Sequence, residues 1–387
     1  MDDPLKTLRR RFRAWRSESR LRREFRTYQE KFVLRGLSIP DETQVSRIIG
    51  ERFPGLSPRA KGTLRTIAVY HHYNWENHSL LPSLQKFGPV RHYDWGARFD
   101  HSREESWHAS VKKEMNRDLA ERVRSWIDRD GADVIFTYLS GALVSPETLR
   151  ALRDCGVPLV NLSLNDKENF VGKIRRGLAM GSRDICRCFD LCCTSTEDAL
   201  AKYVVEGAVP LYLPEGANPD VHRPHDLAKT VDVSFIGQCY GNRRETIERL
   251  RQRGVAVEAY GHGWPAGPLS AEEMVRMYSR SRINLGFGGV MGHRETYCLK
   301  GRDFEIPMSG GLYLTEHHPE LERVYAVGEE IVTYSGFDDL LEKIRRLLAD
   351  PAEAERIRSR GYGRALRDHT WEMRFGKVFR LLGLLAE

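Results

Sequence analysis

VDVSFIGQCYGNRRETIERLRQRGVAVEAYG, residues 231–261, decides the fold class. VDVSFIG is rich in apolar and β-branched residues and reads as a strand. NRRETIERLRQRG reads as a helix, and VAVEAYG as a second strand. Strand, helix and strand at this rhythm make a parallel βαβ unit. The rhythm continues toward the C-terminus. Ser270 and Glu273 form a capping box for SAEEMVRMYSRS, and RINLGF, GGLYLT and EEIVTY follow as strands separated by helices. Helical segments run from Phe337 to the end.

Toward the N-terminus, PLYLPEGANPDVHRPHD carries four prolines and interrupts the pattern, as a crossover between domains does. A first α/β series precedes it. TIAVYHHY and PVRHYDW read as strands around the helix ENHSLLPSLQKFG, and DVIFTYLSG follows a long polar helix near 104–129. Ser145 and Pro146 start the helix SPETLRALRDCG, which stops at Gly156, and PLVNLSLND is the next strand. DLCCTST leads through Ser195, with Asp198 as its capping-box partner, into EDALAKYVVEGA. The expectation is α/β: two Rossmann-like doubly wound domains facing a central cleft, over 63–213 and 214–370. A helical extension over 1–62 precedes them, and a C-terminal helix over 371–387 packs back on the first domain.

The 387 residues carry a net charge of +7, but residues 1–31 alone hold eleven Lys/Arg against five acids, which leaves about +1 for the rest. No broad basic surface for nucleic acid is implied. Apolar residues at Leu5, Leu8, Phe12, Trp15, Leu21, Phe25, Tyr28 and Phe32 make the extension a basic amphipathic helix, or two. Such a stripe either lies on an anionic membrane surface or packs against the parent domain or a second copy. No apolar run is long enough to span a bilayer and the N-terminus lacks a secretory signal, so the expected location is the cytoplasm, peripheral at the inner membrane face if the stripe binds lipid. Seven cysteines, four of them in CRCFDLCC (186–193), lack the spacing of a metal site and read as reduced, buried thiols.

In an open α/β sheet, ligands bind at the carboxyl ends of the strands. In the second half, FIGQCYGNRRE leaves its strand through Gly237, Tyr240 and Gly241 and enters a helix with Arg243 and Arg244 in the first turn. Cations there oppose the helix dipole unless an anion is shared, so the reading is a phosphate site, against a plain turn with solvated arginines. It is neither a Walker loop nor a dinucleotide fingerprint. YGHGWP brings Gly263 near a ligand, and LGFGG is a further glycine loop. LKGRDFEIPMSGG is the densest segment. Lys300 and Arg302 suit a diphosphate, Glu305 suits a ribose diol, and Ser309, Gly310 and Gly311 form a small-residue turn. The alternative is a surface Lys/Arg pair salt-bridged to Glu305.

The first half should supply the group that faces the reacting carbon. His71 and His72, in the loop HHYNW, are candidate general bases, with Asp166 after the strand PLVNLSL as a competitor. Asn74, His293 and Arg294 are candidate acceptor or sugar contacts.

The ordered motifs VSFIG, LKGRDFEIPMSGGLYLTEHHPEL, EEIVTY and GYGRALRDHTWEMRF resemble the C-terminal half of CgeB-like, spore-maturation-type glycosyltransferases of GT-B fold. The linker LPEGANPDVHRP is similar to that fold's interdomain connection. The likeness covers about residues 205–380. It implies that Glu305 holds a ribose and that Lys300 and Arg302 neutralise a leaving diphosphate, without a bound metal or other cofactor. In the related family-4 retaining enzymes a second glutamate stands eight residues before the one matched by Glu305. Tyr297 occupies that place here. The function implied is transfer of a sugar from a nucleotide-diphosphate sugar to a glycan, lipid or small-molecule acceptor. The alternatives are a nucleotide-sugar epimerase on the same fold and a non-catalytic nucleotide-binding or membrane-associated module.

Overall fold

The computed structural model describes residues 4–73 and 75–386. The chain forms two compact units. The N-terminal unit comprises Arg22–Pro214 with Glu372–Glu387; the C-terminal unit comprises Glu215–Trp371 with Met1–Leu21. The extension expected over 1–62 is therefore divided between the two. α1 runs Pro4–Leu34 as one helix, so the slip in its apolar spacing does not break it.

The N-terminal unit is built on β1 Thr66–Val69, β2 Val90–Tyr93, β3 Val134–Thr137, β4 Leu159–Ser163, β5 Leu191–Thr194 and β6 Pro210–Tyr212. All pair in parallel, in the order β2-β1-β3-β4-β5-β6. The central strands are buried on both faces, as apolar runs such as TIAV and VIFT require when helices cover a parallel sheet. Ser145 caps the helix Pro146–Arg153 as expected. The capping box expected at Ser195 and Asp198 does not form. The Ser195 hydroxyl donates to Leu164 O, a 3-10 turn over Glu197–Ala199 intervenes, and the helix starts at Leu200. The C-terminal helix packs in this unit, with Phe375 edge-on to Phe136 and Phe379 to Phe87. Cys186, Cys188, Cys192 and Cys193 are buried free thiols, and burial pushes Cys193 up to about 12.

The C-terminal unit carries β7 Val231–Ile236, β8 Val257–Tyr260, β9 Ser281–Leu285, β10 Tyr313–Glu316 and β11 Val332–Tyr334, again all parallel, in the order β8-β7-β9-β10-β11. Val233, Ile283 and Leu314 are fully buried at its centre. Ser270 and Glu273 form the capping box of the helix Ala271–Arg280. In both sheets the first strand lies between the second and the third. The order in which strands are added therefore reverses at it, and the loops after the first and third strands leave a crevice. No helix among the described residues is long and apolar enough to cross a membrane.

Candidate functional site

Each unit has a cavity at the switch point of its own sheet. In the C-terminal unit it measures about 620 Å³ and is walled by Tyr240, Gly241 and Arg243 after β7, Phe287, Gly289 and Val290 after β9, and Glu316 at the end of β10. Gly237 leaves β7 where Arg302 crosses, and a Cβ there would sit 2.8 Å from the guanidinium and 2.9 Å from the Phe235 ring, so a larger residue would press on the arginine. Arg243 is 2% exposed although it carries a charge. Its Nη1 donates to Gln238 O (2.8 Å) and its Nη2 to the Tyr240 hydroxyl (2.7 Å) and Phe287 O (3.4 Å). The guanidinium lies 3.7 Å over the Tyr240 ring and within 6 Å of the Phe235 and Phe287 rings. Arg302, from the helix Gly301–Met308, donates its Nη1 to the same Phe287 carbonyl (3.3 Å). Burial, and next the Arg302 cation, push Arg243 below the ordinary arginine value. No carboxylate among the described residues forms an ion pair with either.

Lys300 donates its Nζ to Cys298 Sγ (2.8 Å). Burial opposes its charge, but the sulfur carries its pKa above the usual lysine value. The Asp303 carboxylate accepts the Lys300 amide and the Tyr313 hydroxyl, and burial pushes it up to about 6. Glu305 faces Gly301. A Cβ on that glycine would lie 3.2 Å from Glu305 Oε1 and 3.1 Å from Glu215 Oε2, so two carboxyl groups flank one backbone position. His222 Nε2 stands 3.8 Å from Glu305 Oε1. Burial, then Glu305 and Asp303, push Glu215 up to about 8.

Of the residues expected to meet the donor, Tyr240 and Arg243 line the 620 Å³ cavity, and His293 and Arg294 join them. Arg302 reaches it only through the Phe287 carbonyl, while Lys300 and Glu305 stand outside its lining. Ser309, Gly310 and Gly311 do not line it either. A Cβ on Gly310 would meet Pro224, and one on Gly311 would meet Asn284 and Ile306, so the small residues serve internal packing. Gly263 is likewise away from the cavity, closed on by Cys239. Glu316 was not anticipated. Its Oε2 accepts the amides of Gly288 (3.1 Å) and Gly289 (3.3 Å), and an acid ending a strand was the signal for it.

The cavity of the N-terminal unit measures about 400 Å³ and is lined by His71 and Tyr73 after β1, Tyr138 and Ser140 after β3, and Asn165 and His108. His71 Nδ1 lies 2.6 Å from Asp94 Oδ1, and a Cβ on Gly96 would strike the ring at 2.4 Å. Burial opposes the Asp94 charge, but His71 and the Ala97 amide hold its pKa below the usual range. With an ionised acceptor at Nδ1, the proton of a neutral His71 belongs there and Nε2 keeps its lone pair. His72 lies outside the lining, its ring edge-on to Tyr70 and His92, and burial lowers its pKa. Asp166 is 1% exposed, accepts the Tyr203 hydroxyl (2.8 Å) and is pushed by burial up to about 7; it belongs to the core. Asn74 lies outside the described residues. Among the described residues no cluster of three His, Cys, Asp or Glu side chains could hold a metal ion.

Residues 243–380 match the model of a protein family described as glycosyl transferase-like. No curated protein matches the sequence. Solved structures with the same architecture include a glycosyltransferase from Rickettsia africae (10% identity, TM-score 0.60, covering 83% of this chain and 98% of that one). Another is sucrose-phosphate synthase from Thermosynechococcus elongatus (14%, TM-score 0.57, 83% and 99%). A third is Anabaena HepE in complex with UDP and glucose (10%, TM-score 0.56, 84% and 100%). At these identities the likeness shows the fold, two Rossmann-like units of the GT-B type, and the family match begins on the buried Arg243.

Proposed function

We propose that the chain transfers a sugar from a nucleotide-diphosphate sugar to an acceptor hydroxyl, with the donor held in the C-terminal unit and the acceptor in the N-terminal one. One observation carries the reading. Two guanidiniums, Arg243 and Arg302, converge on the Phe287 carbonyl at the switch point, and no carboxylate among the described residues is in ion-pair contact with either. A diphosphate supplies that charge, and stabilising it as a leaving group needs no metal when fixed cations stand ready. Glu305 would accept the ribose hydroxyls and Lys300 would add to the positive field, as the CgeB-like resemblance implies. In the acceptor unit, His71 oriented by Asp94 would take the proton of the attacking hydroxyl.

HepE, with the same fold, was solved with UDP, so UDP is the first nucleotide to try beside GDP and ADP. A nucleotide that binds only the folded state raises the melting temperature by mass action. Arg302→Ala and Glu305→Ala should abolish that rise and sugar transfer while far-UV circular dichroism stays unchanged; unaltered transfer in both variants would remove the assignment. Running the assay without acceptor separates transfer from epimerisation.

The outer stripe of α1 fits a second partner. Phe12 and Trp15 stack with ring centroids 5.9 Å apart and are 56% and 54% exposed, among arginines. An apolar pair in a cationic helix suits an anionic lipid surface, with self-association as the competing use of the same face.

A further inference from the structure

The loop between β9 and the helix Gly301–Met308 forms one wall of the C-terminal cavity. It doubles back on itself: Val290 donates its amide to Thr296 O (2.9 Å), and Gly289 bridges to Tyr297. Val290, Gly292, His293, Arg294 and Tyr297 all face the cavity, yet the tip is exposed, with Met291 at 53%. A two-strand flap of this length has little stability of its own. It is fastened from outside by α1.

Ala14 of α1 lines the cavity, and one turn later Glu18, 9% exposed, ends its side chain in the flap. Glu18 Oε2 accepts the amides of Arg294 (3.2 Å) and Glu295 (3.3 Å). Its two oxygens meet the Thr296 hydroxyl at 3.1 and 3.0 Å, and His293 Nδ1 lies 3.6 Å away. Burial works against the charge, but these donors hold the pKa below the ordinary glutamate value, so the group is ionised at neutral pH. Charge-assisted hydrogen bonds to successive amides are the strong kind, and they fix the backbone of the flap. The alternation along α1 agrees: Ala14, Glu18 and Leu21 fall on the protein-facing side, whereas Phe12, Trp15 and Arg16 face out.

We propose that Glu18 is a positioning residue of the donor site, so that the N-terminal helix holds the 290–297 flap in the shape that receives the nucleotide sugar. The inference rests on the reading of this cavity as the donor site. A flap left loose must be ordered at the moment of binding, which weakens the complex. Loss of a charge-assisted anchor corresponds to about tenfold in affinity.

The test uses the full chain, Glu18→Ala and Glu18→Gln, with Thr296→Val as an independent variant that removes one donor and leaves α1 intact. Hydrogen exchange of residues 290–297 and calorimetric titration with UDP are read together. Expected are faster exchange at Arg294 and Glu295 and a dissociation constant for UDP raised about tenfold in Glu18→Ala, with smaller effects in the other two. A higher donor KM with kcat little changed accompanies them. Unchanged exchange, or faster exchange with unchanged UDP affinity, overturns the role of Glu18 while the donor site stands. If the wild-type chain binds no UDP, the donor-site reading falls first and this role with it.

Discussion

Replacing Glu215 by glutamine should stabilise the C-terminal unit, and by an amount that depends on pH. The Glu215 carboxyl is buried beside Glu305 and Asp303, and its pKa is pushed from 4.5 up to about 8. Between those values the folded unit holds a proton that the unfolded chain has released, so raising the pH favours unfolding. The contribution is fully present below pH 4.5 and lost progressively toward pH 8. Each pH unit in that window removes about 1.4 kcal/mol. Glutamine has the same shape and nothing to release, so its advantage over the wild type grows by about 3 kcal/mol between pH 5.5 and 7.5. For a unit of this size that is roughly 6–10 °C in melting temperature. Asp166 and Asp190, which burial also raises, belong to the N-terminal unit, titrate in both proteins and cancel in the difference. The assay is thermal melting of both proteins at half-unit steps of pH. A difference that stays constant from pH 5.5 to 7.5 would refute the reasoning, because it would mean that Glu215 ionises as an exposed acid does.

Two other perturbations address the N-terminal unit and α1. Asp94→Asn removes the charge that fixes the His71 tautomer, and sugar transfer should fall by roughly 10²–10⁴-fold while UDP affinity measured by calorimetry is unchanged; transfer at the wild-type rate would exclude His71 as the base. Phe12→Ser with Trp15→Ser should abolish sedimentation with phosphatidylglycerol vesicles, and binding of the wild type should weaken as salt rises. A wild-type dimer in light scattering that the double variant dissolves, with no vesicle binding by either, would assign the stripe to self-association.

Both sheets were legible because parallel strands buried on two faces read as apolar runs, and helices between them restore the other period. Local signals failed where the sheet competed for the same atoms. Ser270 and Ser195 each precede an acid by three residues, yet only Ser270 caps a helix. Ser195 directly follows β5, its amide donates to Ser163 O, and its hydroxyl is taken by Leu164 O. The choice between His71 and His72 was closed to the sequence for a related reason. Neighbours at a strand end point to opposite faces, and the partner that distinguishes them, Asp94, arrives from the end of β2. Asp166 failed as a candidate because Tyr203, far along the chain, buries it. The turn Ser309–Gly311 shows the limit of glycine as a signal. It reports that something comes close, and here that is Pro224, Asn284 and Ile306.

Arg243 and Arg302 differ from the arginines nearer the surface in the partners they are given. Arg52 meets Asp190 at 2.6 Å, Arg59 and Arg65 share Asp133, and Arg183 pairs with Asp184, each with a guanidinium side chain 27–43% exposed. At the β7 and β9 loop ends the chain instead offers carbonyls and aromatic faces, which stabilise a cation without neutralising it. Glu316, on the same cavity wall, spends its Oε2 on the Gly288 and Gly289 amides and forms no ion pair with either arginine. Carbonyls fix the guanidinium planes and leave the net charge available, and two like charges held close in a shielded site raise the free energy of the empty state. On the proposed reading, part of that free energy is released when a diphosphate binds and the rest as negative charge gathers on the leaving oxygens. The feature that makes the pair unfavourable alone is then what would make it a stabiliser of the transition state.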